Sequence, residues 1–128
     1  MFDKLIKECE IGNVEKVASL LLIVDPSVQD NLALLEACYY GNFEIVRLLL
    51  ADPRVDPRAA GNWPVQISSK EGYFEIVRLL LDDRRVDPTA DDNLALKWAI
   101  SNGHTDVVQL LTQHQFRLDG PEYNRNIL

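Results

Sequence analysis

The apolar residues of this chain come in short bursts at helical spacing, and the bursts are paired around a glycine. Leu34, Ala37 and Cys38 recur at the i, i+3, i+4 spacing of one helix face. Gly41 breaks that pattern, and Ile45, Val46, Leu48, Leu49 and Leu50 then form a wide apolar arc on a second helix over residues 42–51. Glu44 and Arg47, three apart on its outer side, should pair weakly. Glycine between two helices predicts a tight reversal, because the missing Cβ allows the left-handed backbone that ends a helix. The two helices therefore run antiparallel. The chain opens the same way. A helix over residues 3–10 sets Leu5, Ile6 and Cys9 against Lys4, Lys7, Glu8 and Glu10, Gly12 stops it, and a second helix covers residues 14–22. Val24-Asp25-Pro26 then leads out, since proline forbids further helix and Asp can bond the backbone of a turn.

The pairs are copies of one unit. GNFEIVRLLL at Gly41 returns as GYFEIVRLLL at Gly72 and as GHTDVVQLLT at Gly103. Asn31, Asn62 and Asn93 keep the same step of 31 residues, and Val24, Val55 and Val86 head three VDP connectors. Gly12 opens a weaker copy 29 residues before Gly41, giving four units and a short tail. A period of this size marks a solenoid, in which each unit buries its apolar face only against its neighbours. The connector DPRVDPRAAGN, with two prolines and a glycine, predicts an extended turn or hairpin projecting from the helices.

ALLEACYYGNFEIVRLLL, set against the pattern T-P-L-H-x-A-A-x-x-G-H-x-E-V-V-x-L-L-L, resembles an ankyrin repeat. The turn glycine, the acid three residues on (Glu15, Glu44, Glu75, Asp106) and the leucines of the second helix carry the likeness through all four units. The short VDP connectors resemble those of ankyrin-rich proteins of large DNA viruses of amoebae and of some protists. The resemblance implies an all-α ankyrin-repeat solenoid of stacked antiparallel helix pairs with short projecting hairpins or turns. Its repeats would cover about residues 1–29, 30–60, 61–91 and 92–120 of a single domain, 1–128, with a capping tail over 116–128.

Departures from the pattern carry their own expectations. Leu32-Ala33-Leu34-Leu35, Trp63-Pro64-Val65-Gln66 and Leu94-Ala95-Leu96-Lys97 stand where the family has T-P-L-H. With the threonine cap and bridging histidine absent, Asn31 and Asn93 are the expected N-caps. Pro64 suits the first helical position and should hold Trp63 extended. A unit shorter than the usual ~33 residues predicts blunter fingers. The end units read as caps: Lys16 and Ser19 replace the apolar residues of middle repeats, and Thr105 and Thr112 do so in the fourth. The array is therefore expected to end here, with Trp98 and Ile100 covered by a tail carrying Phe116 and Leu118.

The net charge of −7 changes the picture of partners, because acids are scattered through every unit and no basic face is present. Nucleic acid is not expected, since phosphate binding needs a positive patch. No apolar run reaches the roughly 18 residues of a membrane span, and MFDKLIKECE is charged where a secretory signal is apolar. Cys9 and Cys38 hold the same seat in adjacent units, about 8–10 Å apart in stacked helices and too far for a disulfide. They read as core residues of a protein kept in a reducing cytosol or nucleoplasm, not secreted. His104 takes the family's own His position after the glycine, which makes it structural, and His114 falls near the end of the fourth unit's second helix, where a positive charge suits the helix C-terminus. No metal motif, phosphate loop or catalytic constellation is present, so no cofactor and no enzymatic activity are expected. Asp25, Asp56 and Asp87 read as turn caps in preference to a cation ladder.

The resemblance implies a monomeric, non-catalytic module that binds another protein on its concave face and finger tips. In that architecture the two residues before each glycine end the inner helix on the concave side: Glu10 and Ile11, Tyr39 and Tyr40, Lys70 and Glu71, Ser101 and Asn102. Finger tips add Gln29 and Asp30, Ala60 and Gly61, Asp91 and Asp92. Tyr39 and Tyr40 stand out, because tyrosine offers a large contact area at low entropy cost. The alternative is a regulatory inhibitor or adaptor acting on a kinase or ubiquitin-ligase machinery.

Overall fold

The structure, a computed structural model, describes residues 1–119, with side chains through His114. Eight helices follow one another in that span: α1 Phe2–Ile11, α2 Val14–Leu20, α3 Val28–Tyr39, α4 Phe43–Ala51, α5 Ala59–Glu71, α6 Phe74–Leu81, α7 Ala90–Ser101 and α8 Thr105–Asp119. They form four antiparallel pairs. At each reversal Gly12, Gly41, Gly72 or Gly103 takes a left-handed φ between 72° and 89°. The next backbone N–H reaches back to the preceding helix, as from Asn42 to the Ala37 carbonyl at 3.0 Å and from Tyr73 to that of Ser68 at 2.9 Å. The expected tail begins within α8, which runs through Phe116 and Leu118 to Asp119. The remainder of the expected 116–128 cap lies outside the described residues.

One core runs through all four pairs, from Leu5 and Cys9 through Leu34, Ile45, Val65 and Ile76 to Val107 and Leu111. Its residue sizes shape the stack. The inner row, α1, α3, α5 and α7, meets through small buried groups such as Cys9, Ala33, Ala37, Cys38, Ser68, Ala95 and Ala99. The outer row buries the larger Ile45, Leu49, Ile76 and Leu80. Small side chains let helices approach closely, and the inner helices touch one another far more extensively than the outer ones do. The stack therefore bends with its concave side along the inner row. Lys16, Ser19, Thr105 and Thr112 are all exposed.

Of the two forms expected for the connectors, turn or hairpin, the structure takes the turn, and the reason is backbone geometry. No strand occurs among the described residues, so the projections are turns and not hairpins. Val24, Val55 and Val86 are buried, anchoring each connector. Asp25, Asp56 and Asp87 then accept a hydrogen bond from the N–H two residues on, at 2.9 Å in each case. Three consecutive residues follow in left-handed conformation: Gln29-Asp30-Asn31, Ala60-Gly61-Asn62 and Asp91-Asp92-Asn93. Asn, Asp and Gly tolerate this region best, which explains the composition of these tips.

That turn also overrides the expected caps. Asn31 and Asn93 are themselves left-handed, both at φ 62°, and neither side chain accepts a capping bond among the described residues. Asn31 instead points its Oδ1 at the next connector and accepts from the Asp56 N–H at 3.0 Å, and Asn62 does the same for Asp87 at 2.9 Å. Asn93 has no following connector to hold among the described residues. Trp63 is right-handed helical and not extended, because the left-handed turn ends at Asn62 and the helix starts immediately, with Pro64 in its first turn. Trp98 is half-buried, its ring edge-on to that of Trp63 with centroids 5.8 Å apart, and the tail side chains expected to cover it lie outside those described. Ile100 does remain 59% exposed.

Candidate functional site

The turn glycines position the concave ends of the inner helices through the residue that follows each of them. Asn42 Nδ2 donates to the Cys9 carbonyl one unit back, Tyr73 Oη to that of Tyr39 at 3.2 Å, and the His104 Nε2 proton to that of Lys70 at 2.9 Å. Each bond crosses between repeats and ties down a helix end that would otherwise leave carbonyls unsatisfied. His104 is thereby structural. The glycine must lack a side chain here, since a Cβ on Gly41 would lie 2.8 Å from the Tyr73 ring and one on Gly72 2.5 Å from His104 Nδ1.

Tyr39 and Tyr40 emerge from the end so fixed. They are 50% and 49% exposed, and their rings meet edge-to-face at 5.0 Å. Leu32, Leu35 and Glu36 on α3 and Trp63 on α5 join them around a cleft of about 360 Å³. Burial, then the nearby Glu10 carboxylate, pushes the Glu36 carboxyl above its ordinary range, and Glu10 foremost raises the Tyr40 phenol. Among the described residues no cation or hydrogen-bond donor is paired with Glu36. One step along, the ammonium of Lys70 sits 5.0 Å from the centroid of the Trp98 ring. Tyr39, Tyr40 and Lys70 thus belong to one aromatic and charged surface along α3, α5 and α7.

The other anticipated positions serve differently. Glu71, Ser101 and Asn102 are exposed, but Ser101 Oγ and Asn102 Nδ2 bond back to the carbonyls of Lys97 and Trp98, at 2.9 and 2.8 Å. At the tips, Asp30 accepts from the Ala60 N–H at 3.1 Å and Asp91 from Gln66 Nε2 at 2.9 Å, so both acids stitch neighbouring units together. Asp92 pairs with Lys97 at 2.9 Å, and Gln29 is exposed. Leu32, Leu35, Glu36, Trp63 and Trp98 were not anticipated as site residues. Their signal is the column Leu32, Trp63, Leu94, which keeps large apolar groups on a helix face that the stack leaves half open.

No cluster of His, Cys, Asp or Glu able to hold a metal occurs among the described residues, and none of their helices is long and apolar enough to cross a membrane. Cys9 and Cys38 are free and buried, and burial pushes each thiol up to about 12. The sequence matches the family model for ankyrin repeats (3 copies) over residues 5–92. No curated protein matches it significantly.

Proposed function

Because the chain belongs to the ankyrin repeat family, whose members are generally protein–protein interaction modules, we propose that it binds a partner protein along the concave row of α3, α5 and α7 and acts without catalysis of its own. The observation that carries this reading is the half-exposed pair Tyr39 and Tyr40 beside the cleft that Trp63 completes. Exposed aromatics held on rigid helices give large contact area at small entropic cost. Glu10 and Glu36 make the same surface repulsive to a phosphate backbone. The finger tips contribute at its edge through Gln29 and Asp92, while Asp30 and Asp91 support the scaffold.

The test is affinity capture from cells that express the protein, with proteins identified by mass spectrometry. Wild type and the outer-face variant Glu44→Ala/Arg47→Ala should retain the same partner. Tyr39→Ala/Tyr40→Ala should lose it, with affinity lower by at least about 2 kcal/mol and an unchanged melting temperature. A folded tyrosine variant that captures the partner normally would refute the assignment.

A further inference from the structure

We propose that the cleft between α3 and α5 seats an arginine side chain of the partner, its guanidinium paired with Glu36 and its plane stacked on the rings of Trp63 and Tyr39; this rests on the reading of the concave row as a protein-binding surface. The cleft is about 360 Å³, at the small end of ligand pockets and suited to one inserted side chain. Its lining is of two kinds. Leu32, Leu35 and the aromatic rings accept an aliphatic stem, and a single carboxylate, Glu36, marks where a polar head must end.

Glu36 decides the charge of that head. It is half-buried and has no hydrogen bond or ion pair among the described residues. The charged group that acts on it is a second carboxylate, Glu10. A carboxylate held this way costs desolvation without a compensating partner, and an apolar anchor would only bury it further. A cation supplied from outside relieves both the burial and the repulsion from Glu10.

The protein already uses such a contact one repeat along. There Lys70, at the position equivalent to Tyr39, places its ammonium over the Trp98 ring, and Trp98, whose counterpart one repeat back is Ile67, leans on Trp63. The cation of that step is internal. At the α3/α5 step the positions of that pair are Tyr39 and Ile67, which supply no cation, while the cleft beside them carries aromatic walls and the Glu36 carboxylate. Arginine fits better than lysine, because a planar guanidinium can pair with a carboxylate through two N–H groups while stacking on a ring.

The experiment pans a phage-displayed peptide library against the full chain and measures the selected peptides by calorimetry. Peptides that lose binding to Tyr39→Ala/Tyr40→Ala should share an arginine. Replacing it with citrulline, which keeps the shape and removes the charge, should weaken binding at least tenfold to the wild type and less than twofold to Glu36→Gln. Lysine at that position should be several-fold weaker than arginine. Glu36→Gln removes a desolvated charge and should melt no lower than wild type. If the peptides need the two tyrosines but share no arginine, or if citrulline costs the same with Glu36→Gln, the arginine seat is overturned and the protein-binding face stands. If no selected peptide is sensitive to the tyrosine variant, both are overturned.

Discussion

Asn31 holds a backbone group 25 residues ahead of it: its side-chain oxygen accepts from the Asp56 N–H at 3.0 Å. Asn31 is only 7% exposed and sits in a left-handed turn at φ 62°. One residue therefore meets a conformational demand and a hydrogen-bonding demand, and two substitutions can separate them. Asn31→Gly keeps the backbone and deletes the bond, and should cost about 1–2 kcal/mol by leaving an amide unsatisfied. Asn31→Ala should cost about 1–2 kcal/mol more, because Cβ is disfavoured in that region. Urea unfolding of the three proteins checks the order, and an Asn31→Gly variant as stable as wild type would show that the inter-repeat bond contributes nothing.

Gly72 and Gly103 form a matched pair for a second test. Both are left-handed, at φ 78° and 73°, so alanine carries a similar backbone penalty at each, about 1–2 kcal/mol. They differ in what lies outside. A Cβ at Gly72 meets the His104 ring at 2.5 Å, while at Gly103 nothing lies within 4 Å. Gly72→Ala should be the more destabilising by a further 1–3 kcal/mol or so, the usual cost of overpacking, and Gly72→Ala/His104→Ala should recover part of it. Equal melting temperatures for the two single variants would mean that the neighbouring repeat yields freely.

These two sites mark the boundary of what the sequence reveals. The helix pairs and glycine reversals are legible because each depends on residues close in the chain: the spacing of Leu34, Ala37 and Cys38, and the absence of a side chain at Gly41. Buried leucines and valines follow from the same local periodicity. The connectors are not legible in that way. Three successive left-handed residues are disfavoured one by one, and at the first two tips they come with side-chain bonds to the next unit, from Asn31 to Asp56 and from Asn62 to Asp87, that no local pattern announces. Trp63 is similar, since the local rule for a residue before proline loses to a turn that must end at Asn62. In the candidate site, the exposed tyrosines can be picked by type and position. Glu36 cannot, because its meaning comes from Glu10 one repeat before and Trp63 one repeat after.

Ser68 and Ser69 offer a stabilisation. Both are fully buried in α5 and neither hydroxyl has a hydrogen-bond partner of normal geometry; the Cys38 sulfur beside Ser68 is only a weak acceptor. Ala37 and Ala99 occupy the seat of Ser68 in the neighbouring units, so the site accepts a methyl group without strain. Ser68→Ala should raise stability by about 1 kcal/mol, through removal of an unsatisfied buried hydroxyl and a better helix former. The midpoint of urea unfolding should rise at an unchanged slope. A fall of similar size would show that the hydroxyl is bonded in solution.

The two thiols report how the array opens. Cys9 and Cys38 hold equivalent seats, are both fully buried, and are both raised to about 12, so neither should react in the folded protein near neutral pH. They differ in what covers them. Cys38 lies in a unit flanked on both sides, by α1 before and α5 after, whereas among the described residues α1 has a neighbouring unit on one side only and its partner α2 shows Lys16 and Ser19 to solvent. In a stack stabilised by nearest neighbours the end unit separates first. Pulse labelling with N-ethylmaleimide in urea below the main transition should therefore modify Cys9 well before Cys38, as read by mass spectrometry of the digested protein. Both should label together only once the whole chain unfolds. Equal rates at every urea concentration would mean that the four pairs open as one cooperative unit and that the end repeat gains as much from its single neighbour as the inner repeats gain from two.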